Sequence, residues 1–108
     1  MKIVAITACP TGIAHTYMAA EKLEKTAKKL GHSIKVETQG AMGIENELSQ
    51  ADVDAADAVI IAADIAIERD ERFAKKTRKL SVPIHEVLKN PEGIFEKAGG
   101  EKPESLKT

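Results

Sequence analysis

The chain has 108 residues, of which 43% are hydrophobic, and its 16 basic and 17 acidic side chains give a net charge of −1. This length and composition fit one domain with a single core. The balanced charge and the aromatic content of 3% argue against nucleic-acid binding, because both phosphate attraction and base stacking would be weak. No apolar run approaches the roughly 20 residues of a membrane span, and the first residues lack the pattern of a signal peptide, so we expect a cytoplasmic protein without direct membrane insertion.

The first predicted elements are a strand and a helix that enclose the single cysteine. Ile3 to Ile6 form a short apolar run typical of a buried parallel strand, and apolar residues at helical spacing predict a helix from about His15 to Leu30. Cys9 therefore lies on a strand-loop-helix turn, at the sheet edge where ligands bind in open α/β proteins. The helix start would stabilise an anion or a thiolate there. Position alone leaves two readings equally open, an activated nucleophile or a small buried side chain.

The next segment predicts a second strand, a loop and a short helix. Ser33 to Thr38 alternates between apolar and charged residues, which indicates a strand near a sheet edge with one face in solvent. Gln39 to Gly43 reads as a flexible loop on the same edge as Cys9. Gln39 and Gly40 could form a wall of the site there, or the segment could be a plain connection. Ser49 begins a capping pattern that predicts a helix to about Ala56.

Asp57 to Ala63 is the strongest strand pattern, since its core is uniformly apolar as in a central parallel strand. Asp64 follows it on the site edge and could orient a substrate or cap the next turn; we favour the cap. A charged helix is predicted over residues 70–79. Its basic patch is best explained as a solvated helix face, with docking of an acidic partner as the alternative; the patch comprises Arg69, Arg72, Lys75, Lys76, Arg78 and Lys79.

The last predicted elements are a short edge strand and a helix. Val82 to Ile84 reads as the strand, and Pro83 favours its place at an edge. Asn90 and Pro91 announce a helix that ends at about Ala98. We therefore expect one domain over residues 1–98, followed by a disordered tail or the start of a linker over residues 99–108.

The alternation of strands and helices predicts an α/β fold. We expect a four-stranded parallel sheet of strand order 2-1-3-4 between two helical layers, a three-layer αβα sandwich with a phosphate-type loop after the first strand. This order places Cys9 and Asp64 beside the topological switch point.

The loop that begins with Cys9 has the spacing C-x5-H and then Thr16. It is similar to the C-x5-R-[ST] phosphate loop of cysteine-dependent phosphatases, but the arginine that clamps phosphate is replaced by His15. A phosphate cradle would rely on amides from Thr11 onward and on the side chains of Thr11, His15 and Thr16. Because the loop has no Asp or Glu to act as general acid, it should accept phosphate and pass it on rather than release it.

These residues also resemble a known family. Cys9 to Thr16, CPTGIAHT, is similar to the phosphorylation loop of the fructose-family IIB domain (EIIB) of the bacterial phosphoenolpyruvate-dependent sugar phosphotransferase system. The resemblance extends to essentially Met1 to Ala98. Its further matching segments are VETQG at residues 36–40, Asn46, AVIIAAD at 58–64 and ERF at 71–73.

The resemblance implies that Cys9 is a phosphorylated nucleophile. It would receive phosphate from a phosphohistidine of the IIA domain and pass it to fructose or a related sugar held by the membrane IIC domain, with no cofactor or metal. The protein would then work in the cytoplasm, at the inner face of the membrane when joined to or docked on IIC. The implied phosphate loop consists of Pro10, Thr11, Gly12, Ile13, Ala14, His15 and Thr16.

Three questions stay open at this point. His15 could contact phosphate, orient the loop or tune the thiol. A low-molecular-weight cysteine phosphatase or arsenate reductase is the alternative enzyme, although the missing arginine and acid argue against it. A binding module in which Cys9 is merely packed is the alternative without catalysis.

Overall fold

The computed structural model describes residues 2–9, 13–40, 43–75 and 79–99. Its strands are β1 (Lys2–Ala8), β2 (Ser33–Gly40), β3 (Gly43–Glu45), β4 (Ala58–Ala63) and β5 (Lys79–Val82). Its α-helices are α1 (Ile13–Lys29), α2 (Gln50–Ala55), α3 (Ile84–Lys89) and α4 (Pro91–Gly99), and Asp70–Phe73 forms a 3₁₀ helix. No helix in these ranges is both long enough and apolar enough to cross a membrane.

The strands form one sheet in the order β3-β2-β1-β4-β5. Four of them, β2, β1, β4 and β5, run parallel, which confirms the α/β class and the predicted order of the parallel strands. The prediction of four strands was wrong by one, because β3 adds an antiparallel edge strand beside β2. β3 has only three residues and follows a glycine-rich stretch, so its sequence is typical of a loop.

Helices cover the sheet on both faces, as expected for a three-layer sandwich. On the front face, α1, α3 and α4 pack with Ile3, Ala5 and Ile60 of the central strands. On the back face, α2 and the 3₁₀ helix pack with Val4 and Ile6. Because side chains alternate along a strand, each central strand supplies apolar residues to both layers, which explains its uniformly apolar sequence.

Local sequence signals account for the starts of α2 and α4. The Ser49 hydroxyl accepts a hydrogen bond from the Asp52 amide, and the Asp52 carboxylate accepts one from the Ser49 amide, so the predicted capping pattern of α2 is confirmed as a capping box. Asn90 accepts a hydrogen bond from the Gly93 amide at 3.2 Å, at the predicted start of α4. α1 begins two residues before the predicted His15.

Two predicted secondary-structure elements in the second half of the chain were wrong. The helix predicted over residues 70–79 is a 3₁₀ helix of four residues, and Lys79 already belongs to β5; residues 76–78 lie outside the described ranges. The last strand ends at Val82 instead of including Pro83 and Ile84, since Pro83 is the N-cap of α3 with a φ of −68°. Proline has this φ by its ring and lacks a backbone donor, so it suits a helix start as well as an edge strand.

α4 extends to Gly99, one residue beyond the predicted domain end. The remainder of the predicted tail or linker, residues 100–108, lies outside the described ranges.

Candidate functional site

Cys9 lies directly after β1, at the carboxyl end of the central part of the sheet. The preceding residue, Ala8, is paired with Gln39 of β2 on one side and with Ala63 of β4 on the other. The Cys9 side chain is 6% exposed and belongs to the apolar cluster of the front face. α1 begins at Ile13, so the cysteine lies between the end of a buried strand and the N-terminus of a helix, as the sequence predicts.

The candidate phosphate loop is described only in part. Pro10, Thr11 and Gly12 lie outside the described residues, and Ile13 and Ala14 lie in the first turn of α1.

His15 and Thr16 differ in their surroundings. His15 is exposed, whereas Thr16 is buried. The Thr7 hydroxyl donates a hydrogen bond of 3.1 Å to the Thr16 carbonyl, which ties the first turns of α1 to β1 just before Cys9. A Cβ built at Gly40 would lie 3.7 Å from the Thr16 hydroxyl oxygen, so the structure brings these two predicted site residues together.

Gln39 and Gly40 belong to β2, so the predicted loop from Gln39 to Gly43 begins too early. The Gln39 side chain is buried, and it makes two hydrogen bonds with the backbone of Glu68. Its amide nitrogen donates to the Glu68 carbonyl at 3.1 Å, and its amide oxygen accepts from the Glu68 N–H at 2.8 Å. The same nitrogen donates to the Glu37 carboxylate at 2.7 Å.

Gln39 contacts a buried ion pair formed by Glu37 and Arg72. The Glu37 carboxylate accepts hydrogen bonds from the Arg72 guanidinium at 2.7 and 3.1 Å, and the side chains are 0% and 4% exposed. Glu37 also accepts the Leu48 amide at 2.7 Å. Burial raises the pKa of the Glu37 carboxyl, but the hydrogen bonds from Arg72, Gln39 and Leu48 together outweigh it, so this pKa lies below its ordinary value.

Sequence reasoning missed this network. Alternation along β2 assigned Glu37 to a solvent face, and the charge run assigned Arg72 to a basic surface patch; both predictions were wrong. Their only sequence signal was the family resemblance, because VETQG contributes Glu37 and Gln39 and ERF contributes Arg72. Arg72 also donates to the carbonyls of Leu48, Glu68 and Arg69. It therefore holds irregular backbone in place and also neutralises the buried charge of Glu37.

Asp64 is exposed and connects two elements at the site edge. Its amide donates to the Ala8 carbonyl at 3.1 Å, directly before Cys9. Its carboxylate accepts the amide of Ile84 at 3.1 Å, so it caps the start of α3 rather than the turn that follows it in sequence.

Exposed apolar side chains lie on segments that adjoin this edge. Tyr17 and Met18 are 39% and 49% exposed on α1, and Ile65 is 44% exposed just after β4. The Tyr17 hydroxyl donates a hydrogen bond to the Glu45 carboxylate. This hydrogen bond raises the pKa of Tyr17 above its ordinary value.

The remaining histidines lie at opposite ends of the sheet: His32 directly precedes β2, whereas His85 follows Ile84, whose amide is bonded to Asp64 at the carboxyl edge. His32 stacks on Phe95 with ring centroids 5.8 Å apart, and His85 is exposed beside Glu86. Within the part of the chain that the structure describes, no three or more His, Cys, Asp or Glu side chains come together as a candidate metal site.

Comparison with known proteins gives one family. Residues 4–97 match the family described as "PTS system, Lactose/Cellobiose specific IIB subunit". The chain is 54% identical over 96 residues to the PTS system fructose-like EIIB component 2 of Escherichia coli K12, which covers 89% of this chain and 90% of that protein. It is 50% identical over 96 residues to the 2-O-alpha-mannosyl-D-glycerate-specific EIIABC component of the same strain, which covers 89% of this chain but 14% of that longer protein.

The fold is also that of a solved relative. A crystal structure of a domain from the fructose-specific IIABC component of Borrelia burgdorferi has a TM-score of 0.85 and 48% sequence identity to this chain. The similarity covers 90% of this chain and 91% of that domain.

Proposed function

Because the chain belongs to the IIB family of the sugar phosphotransferase systems and is similar to its fructose-like members, we propose that Cys9 is the residue that carries the phosphoryl group. It accepts the group from a phosphohistidine on a IIA domain and passes it to fructose or a related sugar bound by a membrane IIC domain. The protein is thus a protein-phosphocysteine sugar phosphotransferase.

The observation that carries this proposal is the position of the chain's single cysteine. Cys9 lies between the end of central strand β1 and the start of α1, where unpaired helix N–H groups and the helix dipole favour negative charge. A thiolate and a phosphoryl group both gain from that field. The phosphate is held by loop amides with Thr11, His15 and Thr16, and Gly40 lies beside Thr16.

The chemistry is two displacements at phosphorus. In the first, the Cys9 thiolate attacks the phosphohistidine phosphorus; the S–P bond forms, the N–P bond breaks, and the electron pair of that bond stays on the imidazole. In the second, a sugar hydroxyl oxygen attacks the same phosphorus; the O–P bond forms, the S–P bond breaks with its electron pair staying on sulfur as the Cys9 thiolate, and the hydroxyl proton leaves to water. Positioning and charge stabilisation by the loop are the protein's contribution to both steps.

A relay is favoured over a phosphatase because the loop itself has no carboxylate that could act as a general acid. Hydrolysis needs a general acid and a positioned water. The sequence has no Asp or Glu between Cys9 and Thr16, and the Asp64 carboxylate is engaged with the Ile84 amide. Phosphocysteine would therefore hydrolyse slowly and transfer its phosphoryl group to the sugar hydroxyl instead of to water.

The partners follow from the family and from the site edge. The EIIABC relative combines the three components in one protein, so we propose that residues 1–98 form the IIB domain and act in the cytoplasm beside IIA and IIC. Tyr17, Met18 and Ile65 offer exposed apolar contacts to both partners, on segments that adjoin the site edge. A fructose-specific and a mannosylglycerate-specific relative have nearly the same identity to this chain, which supports a sugar choice made by IIC.

The test is intact-mass spectrometry after incubation with phosphoenolpyruvate, the general phosphotransferase proteins and a matching IIA, at mildly alkaline pH. We expect one added phosphoryl group on the wild-type protein and none on Cys9→Ser, because serine is a far weaker nucleophile. Supplying IIC and sugar should discharge the group.

The matched control is Ser33→Ala, an exposed serine that pairs with Lys2 at the opposite end of the sheet from Cys9, which should be phosphorylated like wild type. A wild-type protein that takes up no phosphate from several IIA domains, yet hydrolyses an aryl phosphate in a Cys9-dependent reaction, would refute the relay and establish the phosphatase.

A further inference from the structure

The segment from Asp64 to Glu68, here called the strap, crosses the carboxyl end of β1. It leaves β4, which borders β1 on one side, and at its start the Asp64 amide donates to the Ala8 carbonyl. At its end Glu68 is bonded to Gln39 of β2, which borders β1 on the other side. The strap therefore spans the width of β1 at the residue that precedes Cys9.

The strap passes on the back face of the sheet. Gln39 is the parallel partner of Ala8, and Glu37 is the partner of Ile6, whose side chain packs in the back-face cluster. Ile67 of the strap packs against that same cluster. Because Cys9 belongs to the front-face cluster, the end of β1 lies between the strap on one side and α1 on the other.

The side-chain amide of Gln39 holds the strap by hydrogen bonds to the backbone of Glu68. A side-chain amide carries N–H donors and a carbonyl acceptor, as a peptide does, and here it pairs with both backbone groups of Glu68. Glu37 receives the same amide nitrogen, and Arg72 holds Glu37 while donating to the Glu68 carbonyl at 3.3 Å. The Gln39 amide thus has its orientation set by a buried ion pair.

We propose that Gln39 is a positioning residue for Cys9: its amide holds the strap against the end of β1 and so fixes the backbone that presents the thiol. The effect on phosphoryl transfer rests on the proposed function, whereas the effect on the thiol itself does not. Small displacements of a nucleophile weaken in-line attack strongly, so loosening the strap slows transfer without removing any group that touches phosphate.

The first measurement is amide hydrogen exchange of the wild-type protein by NMR. The Glu68 amide, held by the Gln39 side chain, should exchange much more slowly than the exposed amides of neighbouring loops. Exchange at the rate of an unprotected loop would overturn the proposal without any substitution.

The second measurement compares Gln39→Met with Gln50→Met. Methionine keeps the length of glutamine but removes both hydrogen bonds to Glu68. Gln50 is the matched control, an exposed glutamine on α2 that donates to Asp54 and to the Arg72 carbonyl. In Gln39→Met we expect kcat for phosphate uptake from IIA to fall about tenfold or more with KM for IIA unchanged, faster Glu68 exchange and faster alkylation of Cys9 by iodoacetamide. Gln50→Met should match wild type in each readout.

Wild-type kcat and wild-type alkylation in a folded Gln39→Met protein would refute the positioning role, as would equal losses in the two variants. If the wild-type protein takes up no phosphate at all, the proposed function fails instead. The exchange and alkylation results then still decide whether Gln39 positions Cys9.

Discussion

The two faces of the sheet are held to their helices in different ways. The front face, under α1, α3 and α4, is an apolar layer that includes Leu23, Phe95 and the small side chains of β1 and β4. Among the described residues, the back face under α2 and the 3₁₀ helix has fewer buried apolar side chains and adds the buried pair of Glu37 and Arg72.

The difference follows from what each face has to hold. Regular helices satisfy their own backbone hydrogen bonds and need only an apolar surface. The back face carries irregular backbone around Leu48 and Glu68, whose polar groups would be costly to bury without partners. Glu37, Gln39 and Arg72 supply those partners, so the polar cluster does for loops what apolar packing does for helices.

Breaking the polar cluster should give the largest effect. Arg72→Met leaves the Glu37 charge buried without its counter-ion, and we expect a loss of about 3–5 kcal/mol in the free energy of unfolding. Urea unfolding followed by circular dichroism measures it.

A double variant sharpens this result. Glu37→Leu combined with Arg72→Met should be less destabilised than the sum of the two single variants, because neither charge is then left alone. Strict additivity would mean that the two residues do not act as a pair.

Truncating the front face should cost somewhat less. Leu23→Ala removes a fully buried side chain from α1, and we expect a loss of about 3 kcal/mol in urea unfolding from lost burial and the cavity left behind. Leu30→Ala is the control, since Leu30 is 41% exposed, and its effect should stay within about 0.5 kcal/mol. Similar losses in both variants would contradict the packing described for α1.

Variants of the two faces should differ in how their stability depends on acid pH. The folded-state pKa of Glu37 lies below its ordinary value of about 4.5, so its stabilisation is present above that pH and is lost as the pH falls through the lowered pKa. In urea unfolding at decreasing pH, Glu37→Gln should therefore lose less stability than wild type. Leu23→Ala should lose stability in parallel with wild type.

Asp52 also contributes to the loss of stability at low pH, in the same direction as Glu37. A hydrogen bond from Lys35, followed by those from Ser49, lowers the pKa of Asp52 to about 2. Since Asp52 is unchanged in all the proteins compared, its contribution cancels. If the free energy of unfolding fell equally steeply with decreasing pH in wild type and in Glu37→Gln, Glu37 would not be the source of the acid sensitivity.

The smallest effect concerns α2, which belongs to the back face and has only six residues. Ser49→Ala removes the hydroxyl of its capping box and should cost about 1 kcal/mol in urea unfolding. Ser81→Ala, an exposed serine on β5, serves as the control and should change stability by less than about 0.5 kcal/mol. A Ser49→Ala protein as stable as this control would mean that the cap contributes nothing.

The apolar face was largely predictable from sequence. The apolar runs of β1 and β4 and the spacing of Leu23 and Ala27 in α1 are local patterns, and they predicted the parallel strand order. The capping signals at Ser49 and Asn90 are local as well.

The polar face was not predictable in this way. Glu37 and Arg72 are 35 positions apart, and Gln39 and Glu68 are 29 positions apart, so no local period relates them. Read alone, each charged residue is typical of a surface. The same limit applies to β3, which is defined only by its pairing with β2. The sequence placed Cys9 between strand and helix, but the support behind it depends on contacts between distant segments.

Both outer strands of the sheet are short. β3 has three residues and β5 has four, and Pro83, which has no N–H to donate, follows β5 directly. A long open strand edge invites pairing with another chain, and brevity and proline are two ways in which proteins prevent it. Two copies of this domain therefore find little edge on which to join their sheets. Such a domain can be tethered at high local concentration, beside itself or beside other domains, and remain a separate folding unit.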